Sequence, residues 1–233
     1  MTRELSADTA LELKELGYSI AESVLSPGEC DRLLDELSAP TLKRSRAGAR
    51  HLMSNPTVAG LARDARLLKL AQTAVGPSAT PYRATLFEKS AQTNWLVVWH
   101  QDTALPLASR FDTPGWGPWS EKVGVNYAHA PGWALARIVA LRVHLDSSSS
   151  ENGPLRVVAG SHNAGLLTDE EVFVYAGAHE QTECLLARGG VLLMRPLLIH
   201  SSSKATGPGR RRVLHLEYAD SLDVAPGIRL AVA

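Results

Sequence analysis

The fold is decided by residues 138–145, which read IVALRVHL. Aliphatic side chains occupy every second position, at Val139, Leu141, Val143 and Leu145. Arg142 and His144 alternate with them on the opposite side of the chain. A two-residue period of this kind predicts a β-strand with one face in a dry layer and the other in polar surroundings.

Residues 211–218, which read RRVLHLEY, repeat this pattern. One predicted face carries Leu214, Leu216 and Tyr218, and the other carries Arg211, Val213, His215 and Glu217. If helices cover the apolar side, the polar sides of the two strands must face a central cavity. Such a cavity suits a charged small molecule.

The rest of the chain divides into helices followed by strands. A capping box at Ser26 and Glu29, with Pro27 at the first helical position, predicts a helix that runs to about Leu37. Other predicted helices cover residues 8–16, 56–63 and 65–75, and a short strand covers 18–24. Further predicted strands lie near 82–89, 95–101, 155–159, 183–187, 190–195 and 197–201. This segregation predicts one β-core with helices laid on one of its faces.

We expect a single domain over residues 1–233, mostly helical over 1–80 and mainly β over 81–220. The basic stretch from Lys43 to Arg50, including Arg46, is interpreted as a solvated loop. The Pro-, Gly- and Trp-rich segment between Thr103 and Arg137 is interpreted as a long loop, of the kind that usually has a function.

Composition excludes several classes of protein. The chain has 233 residues, 45% of them apolar, which is enough for a core without disulfides. Its 24 basic and 24 acidic residues balance, which argues against nucleic-acid binding. The chain has no apolar run of the ~18 residues that a membrane span needs. The polar N-terminus lacks a signal-peptide core, and Cys30 and Cys184 have no metal spacing, so we expect free thiols in the cytoplasm. The oligomeric state is left open.

The motif His-x-Asp occurs twice, as His100-Gln101-Asp102 and as His144-Leu145-Asp146. Two imidazoles and one carboxylate bind iron and leave three positions open for oxygen chemistry. If His200 is the third ligand, more predicted strands separate it from Asp102 than from Asp146, as a return to the metal requires. We therefore favour His100, Asp102 and His200, with His144 as a hydrogen-bonded core histidine.

The residues after His200 indicate an anion site. Three serines are followed by a Gly-Pro-Gly turn and by Arg210, Arg211 and Arg212. A dicarboxylate held beside iron needs a cationic fork for its distal carboxylate, which arginine supplies in bidentate form. Arg211 is preferred because it lies on the polar face of its strand, and Ser202 is placed to assist it.

These residues together resemble the phytanoyl-CoA dioxygenase family of Fe(II)/2-oxoglutarate-dependent oxygenases. The resemblance spans nearly the whole chain. It comprises Leu86-Phe87-Glu88-Lys89, Trp99-His100-Gln101-Asp102, Leu141-Arg142-Val143-His144-Leu145-Asp146, Glu151-Asn152-Gly153-Pro154-Leu155, the turn Ala159-Gly160-Ser161-His162, and His200 with Arg211 eleven residues later.

The resemblance implies a mainly β protein with N-terminal helices and a double-stranded β-helix core of the jelly-roll, cupin-like type. It implies Fe(II), 2-oxoglutarate and O2 as cofactors, with ascorbate as an aid, and release of succinate and CO2. The implied iron ligands are His100, Asp102 and His200, and the implied 2-oxoglutarate contacts are Arg211, Ser202, Thr85, Arg142 and Gln101. Thr85 and Arg142 differ from the residues most common there.

The resemblance does not identify the small-molecule substrate. The carboxylate of Asp102 points to hydroxylation, because family halogenases carry a small residue at that position; desaturation and ring chemistry stay open. We predict that residues 103–136 form a substrate lid, with Lys89, Trp116, Trp119 and Trp133 as substrate contacts. The alternative is that the tryptophans anchor the segment to the barrel.

Two other functions are compatible with this fold. A metal-dependent isomerase or lyase would use the same three ligands but would not need Arg211 and Ser202. A non-enzymatic ligand-binding protein is disfavoured, because a polar cavity is costly to bury without its ligand.

Overall fold

The computed structural model describes residues 2–38, 42–45, 47–90 and 93–233. Arg46, in the predicted basic loop, lies outside the described residues. The helices are α1 (Thr2–Glu15), α2 (Pro27–Leu37), α3 (Pro56–Ala62), α4 (Ala65–Val75), α5 (Gly132–Leu135) and α6 (Asp169–Ala178). The strands are β1 (Tyr18–Ala21), β2 (Gly48–Arg50), β3 (Thr80–Lys89), β4 (Val97–His100), β5 (Ala104–Leu107), β6 (Trp119–Lys122), β7 (Val125–His129), β8 (Ile138–His144), β9 (Leu155–Val157), β10 (Thr182–Cys184), β11 (Val191–Met194), β12 (His200–Ser202), β13 (Arg211–Ala219), β14 (Asp223–Ala225) and β15 (Ile228–Arg229).

Two antiparallel sheets form the centre of the molecule. The larger sheet has the order β1-β11-β8-β13-β3-β2, and the smaller one has the order β10-β9-β12-β4. Neighbours in each sheet are mostly distant in sequence, as in a jelly roll. The predicted class, mainly β with N-terminal helices, is confirmed.

The helices begin where the sequence indicates. At α2, Ser26 Oγ accepts from the Glu29 backbone N–H at 3.3 Å, and Glu29 Oε2 accepts from the Ser26 N–H at 2.8 Å. Asn55 and Asp64 cap α3 and α4 in a similar way. Each cap satisfies backbone N–H groups that have no partner within the helix.

The helices cover the apolar face of the larger sheet. A single core cluster contains buried residues of the first four helices together with alternate residues of the central strands, namely Val139, Leu141, Val143, Leu214, Leu216 and Tyr218. The Tyr218 hydroxyl donates to the Ala62 carbonyl at 2.9 Å, which ties β13 to α3. The predicted apolar faces of residues 138–145 and 211–218 are confirmed.

The register of the larger sheet places polar residues on its inner face. Arg50 lies opposite Thr85, which lies opposite His215, which lies opposite Arg142. Residues that face each other across an antiparallel pair share one face of the sheet. The polar row therefore crosses four strands and faces the smaller sheet.

The prediction of a long loop between Thr103 and Arg137 is wrong. β5, β7 and β6 form a three-stranded sheet with its own core, which includes Leu105, Leu107 and Ala128. The strands have only four or five residues, and β6 reads WSEK, so their apolar signal is weak. Half of the segment's glycines and prolines lie in the connection before β6, namely Pro114, Gly115, Gly117 and Pro118.

Smaller differences from the sequence predictions have local causes. β2 occupies Gly48–Arg50 where a loop was expected, because these residues pair with the edge of β3. α6 was not predicted, although Thr168 and Glu171 form a capping box at its start. The strand that carries His200 begins at that residue rather than near residue 197, because Leu198 N donates to Arg195 O in a preceding turn.

The structure also describes the two cysteines and the lengths of the helices. Cys30 and Cys184 are both free and buried, as predicted. Within the described ranges, every helix is too short or too polar to cross a bilayer.

The packing of the central strand β8 against the helices can be tested by substitution. Leu141 is fully buried between the larger sheet and the helices, so Leu141→Ala should lower the free energy of unfolding by about 2–5 kcal/mol. Urea unfolding followed by circular dichroism measures this loss. Leu166 is about half exposed, and Leu166→Ala should change stability by less than about 0.5 kcal/mol. Equal effects of the two substitutions would contradict the described packing.

Candidate metal centre

The candidate centre lies where β4 and β12 pair. His100 ends β4, His200 begins β12, and the two residues lie directly opposite each other. Their ring centroids are 4.1 Å apart. Asp102 follows β4 by two residues, and its backbone N–H donates to Pro196 O at 2.8 Å, which fixes it beside the rings.

The side chains of these residues converge on one point. Asp102 Oδ1 lies 3.6 Å from His100 Nε2, and Asp102 Oδ2 lies 3.5 Å from His200 Nε2. One ligand atom from each of the three lies within 4.8 Å of the others. Among the described residues, this is the one group of three or more His, Cys, Asp or Glu side chains that meets this criterion.

Backbone carbonyls orient both imidazoles. His100 Nδ1 lies 2.9 Å from Val98 O, and His200 Nδ1 lies 2.8 Å from Leu198 O. Each Nδ1 therefore carries the proton, and each Nε2 presents its lone pair to the shared space. Two imidazoles and one carboxylate in this arrangement fit Fe(II) and leave coordination positions open.

The charges within the group favour this state for His200 and Asp102, whereas at His100 Asp102 outweighs burial and raises the pKa. Burial and the neighbouring His100 lower the pKa of His200 to about 3, so His200 stays neutral and available to a metal. For Asp102, desolvation would raise the pKa, but the two histidines outweigh it and hold the pKa well below the usual range. The carboxylate is therefore ionised, as a metal ligand must be.

The second His-x-Asp motif is used differently. His144 Nδ1 bonds to Arg142 O at 3.0 Å, and burial lowers its pKa to about 3. Asp146 accepts from Arg212 Nε at 2.7 Å and from Arg212 Nη2 at 2.8 Å. Asp146 is therefore committed to an ion pair, and the structure does not bring this motif to His200.

One end of the inner cavity is cationic and contains Arg211. Arg211 Nη2 donates to Ser202 Oγ at 3.2 Å, whereas Arg211 Nε and Nη1 are buried without a partner. Burial and the charge of Arg142 lower the pKa of Arg211 to about 9. A buried guanidinium with two unused N–H donors fits a carboxylate, which accepts in bidentate form.

Lys89, predicted as a substrate contact, lies at this same end. Lys89 lies opposite Arg211 in the β3–β13 pair, and its Nζ donates to Ser202 Oγ at 2.6 Å. Burial, followed by the charges of Arg211 and Arg142, lowers the pKa of Lys89 to about 7. The ammonium is held by Ser202 and by the Ser203 carbonyl at 2.5 Å.

Arg142 and Thr85 lie between Arg211 and the three candidate ligands. Arg142 lines the cavity with its guanidinium carbon 5.4 Å from the Phe87 ring centroid, and its Nη1 lies 3.2 Å from His215 Nδ1. Arg142 Nε and Thr85 Oγ1 are both buried without a partner. Both residues therefore offer unused donors on the inner face.

The opposite end of the cavity holds a compensated charge. Glu217 Oε1 accepts from Arg83 Nη1 at 3.0 Å and from His215 Nε2 at 3.0 Å. Glu217 Oε2 accepts from the Tyr82 hydroxyl at 2.7 Å. Arg83 and Glu217 were not among the predicted site residues, although Arg83 has the same strand parity as Thr85, which was the available signal.

Gln101, predicted as a cosubstrate contact, has its amide bonded to backbone groups outside the cavity lining. Its Nε2 donates to Gly165 O and Leu197 O at 2.8 Å each, and its Oε1 accepts from Leu167 N at 3.0 Å. Strand alternation explains this, because His100 and Asp102 point to one side and Gln101 to the other.

The three tryptophans of the predicted lid pack against one another and their own sheet. Phe111 makes edge contacts with Trp116 and Trp119, with ring centroids 5.3 and 5.1 Å apart. Trp133 contacts Trp116 at 6.1 Å and is half exposed. None of the three lines the cavity of the candidate ligands, so the structure favours the anchoring alternative.

The chain is similar to known proteins in sequence and in fold. The model of the phytanoyl-CoA dioxygenase family matches residues 13–213. The chain belongs to this family. Among curated relatives, L-proline trans-4-hydroxylase of Streptomyces griseoviridis is 25% identical over 186 residues, which cover 69% of this chain. The match spans 62% of that relative's length.

Solved structures of other proteins have a fold similar to that of this chain. EctD from S. alaskensis, crystallised with 2-oxoglutarate and 5-hydroxyectoine, is 22% identical with a TM-score of 0.69, over 91% of this chain and 75% of that one. HygX from Streptomyces hygroscopicus, crystallised with iron bound, is 21% identical with a TM-score of 0.66, over 94% and 86%.

The two His-x-Asp motifs generate a direct test. His100→Ala, Asp102→Ala and His200→Ala should each abolish binding of Fe(II) or Mn(II), because each removes one of only three protein ligands. His144→Ala should retain metal binding, since His144 lies outside the group. Anaerobic metal titration measures both, with circular dichroism as the check on folding. Loss of metal from His144→Ala, with full binding in His100→Ala, would reverse the assignment.

Proposed function

We propose that the chain is an Fe(II)/2-oxoglutarate-dependent dioxygenase that oxidises a small molecule, with hydroxylation as the outcome and succinate and CO2 as by-products. The observation that carries this proposal is the buried Arg211 guanidinium, whose unused donors face the cavity that His100, Asp102 and His200 share. Family membership and the cosubstrate of a structural relative support it.

The metal would be held by His100 Nε2, His200 Nε2 and the Asp102 carboxylate. When bound, iron activates dioxygen with electrons from 2-oxoglutarate, which leaves as succinate and CO2. The residues of the chain prepare this chemistry by orientation. The carbonyls of Val98 and Leu198 hold both rings in the tautomer that binds metal.

The distal carboxylate of 2-oxoglutarate would lie on Arg211, with Ser202 beside it. Ser202 Oγ donates to Gly153 O at 2.8 Å and accepts from both Lys89 and Arg211, so its position is fixed by three partners. Arg142 and Thr85 would contact the rest of the cosubstrate through their unused donors. A dianion fits here because, besides burial, the charge of Arg142 lowers the pKa of Arg211, and the charges of Arg211 and Arg142 lower the pKa of Lys89.

The presence of Asp102 supports hydroxylation. The Asp102 carboxylate occupies the ligand position that family halogenases leave open for chloride. The side of the centre without protein ligands is then available to oxygen and substrate. The substrate would enter from the Arg83 end, because the Arg211 end is assigned to the cosubstrate.

The rival functions lack a comparable observation. A metal-dependent isomerase or lyase needs no dicarboxylate cosubstrate, so it would not use the Arg211 guanidinium. A ligand-binding protein has no use for three metal ligands with open positions. We further propose that the chain acts as one oxygenase domain, and that it works in the cytoplasm, where free thiols such as Cys30 and Cys184 persist.

The function is tested by turnover. The purified chain, reconstituted with Fe(II) and ascorbate, should convert 2-oxoglutarate to succinate slowly without substrate, and faster with a substrate from a small-molecule screen. Quantifying succinate by mass spectrometry measures this conversion. His200→Ala should be inactive and His144→Ala active. Metal binding without any succinate from the wild-type chain would favour the isomerase alternative.

Arg211 generates a second test. Arg211→Gln should weaken 2-oxoglutarate binding by roughly 30-fold or more, because truncating one partner of a buried charge pair costs about 2–5 kcal/mol. Calorimetric titration of the Mn(II)-loaded chain measures the affinity without turnover.

Two matched variants serve as controls for this test. Arg210 is exposed and Arg212 pairs with Asp146, so Arg210→Gln and Arg212→Gln should bind 2-oxoglutarate almost as the wild type does. A larger loss in Arg212→Gln than in Arg211→Gln would place the cosubstrate elsewhere.

A further inference from the structure

A second cationic cluster lies at the end of the cavity away from Arg211. Arg83 and Lys89 are six residues apart on β3, which separates their Cα atoms by about 20 Å. Glu217 and Arg211 face them at the same two positions on β13. Arg83 and Arg211 therefore mark two ends of the cavity, which His100, Asp102 and His200 also line.

Tyr127 is the centre of this cluster. Its ring is fully buried, with the Arg83 guanidinium carbon 5.2 Å and Lys122 Nζ 4.7 Å from the ring centroid. Its hydroxyl lies 3.0 Å from His51 Nε2. The face of an aromatic ring attracts cations, so Tyr127 gathers positive charge from β3 and from the three-stranded sheet.

Arg50 completes the cluster from the edge of the larger sheet. It lies opposite Thr85 in the β2–β3 pair, so its side chain starts on the cavity face. Burial, and then the charge of Arg83, lowers the pKa of Arg50.

The charges of this cluster are only partly compensated. Arg83 has Glu217 as its partner at 3.0 Å, and Glu217 is already shared with Tyr82 and His215. In the described part of the chain, Arg50 and Lys122 have no carboxylate within ion-pair distance. Burial, and then the charges of Arg50 and Arg83, lowers the pKa of Lys122.

The cluster is within electrostatic reach of the candidate metal centre. The Asp102 carboxylate acts on Arg50 and Lys122 alike, and in both cases it opposes the lowering of the pKa. Arg50 and Lys122 are half buried without a carboxylate partner, and Lys122 shares the Tyr127 ring with Arg83, which lines the cavity, so one further anion would compensate them. Such an anion would relieve their mutual repulsion and replace the hydration that burial has removed.

We propose that Arg50 and Lys122 bind an anionic group of the substrate, a carboxylate or a phosphate, at the cavity end opposite Arg211. The proposal rests on the proposed function, because it assumes that the Arg211 end is occupied by 2-oxoglutarate. It assigns the substrate to the class of small organic acids or phosphate esters. Arg83 and Glu217 act as positioning residues that hold Tyr127 and the wall of this end.

The test uses the full chain loaded with Mn(II) and saturating 2-oxoglutarate, which fills the Arg211 end without turnover. Acetate and methyl phosphate are titrated at constant ionic strength against chloride, and the thermal midpoint at each concentration yields a dissociation constant. At least one of the two anions should stabilise the wild-type chain beyond chloride. Preference for acetate assigns a carboxylate, and preference for methyl phosphate assigns a phosphate ester.

Matched variants locate the binding. Arg50→Gln and Lys122→Gln should each weaken the anion roughly tenfold or more, the loss of one charged hydrogen bond, and Lys122→Arg should restore most of it. Arg110→Gln is the control, because Arg110 lies in the connection between β5 and β6, exposed, with its Nε donating to Asn126 Oδ1 at 2.9 Å. Affinity for 2-oxoglutarate should be unchanged in all four variants.

Three results would overturn the proposal. They are no stabilisation beyond chloride in the wild type, undiminished binding in both Gln variants, and loss of 2-oxoglutarate rather than of the test anion. Failure of the proposed function is distinguishable from these. If the wild-type chain does not bind Mn(II) with 2-oxoglutarate, the same titration of the metal-free chain still decides whether Arg50 and Lys122 form an anion site.

Discussion

The register of the larger sheet is the constraint on which both the fold and the candidate site depend. In β8 and β13 the residues that alternate with the helix-covered leucines must point into the cavity. A slip of one residue would bury Arg142 against the helices and turn Leu141 towards the metal ligands. The same pairing that stabilises the sheet therefore positions Arg142, His215 and Arg211, and the site cannot form without the core.

The burial of cations on this inner face follows from that register and distinguishes its two ends. Arg83 is compensated internally by Glu217, whereas Arg211 keeps two unused donors and Lys89 is held only by neutral oxygens. Burying a charge without a partner is costly, so these positions are maintained at the expense of stability. The balance is restored when anions occupy the cavity, which links the stability of the protein to its ligands.

Much of this arrangement was predictable from the sequence because it rests on local periodicity. The faces of residues 138–145 and 211–218, the α2 capping box and the preference for Arg211 over Arg212 all follow from alternation or from short-range spacing. What failed depends on tertiary context. The short strands β5, β6 and β7 have too few apolar residues to distinguish them from a loop, and their tryptophans find partners in Phe111 rather than in a substrate. The contact of Lys89 with Ser202 was not predicted, because Ser202 is 113 residues away in sequence.

Gln101 lies between the candidate ligands His100 and Asp102 in the sequence. Its side chain points away from them and bonds to the neighbouring backbone. Its amide joins the end of β4 to Gly165, Leu167 and Leu197, so the approach to α6 and the turn before His200 share one anchor with the metal centre. Loop lengths in this protein are therefore not equally free to vary. An insertion at the exposed residues 112–115, in the connection before β6, would leave the candidate ligands undisturbed, but a one-residue insertion between Gly165 and Leu167 would pull on the strand that presents His100. For grafting or circular permutation, the first of these segments is the place to cut the chain.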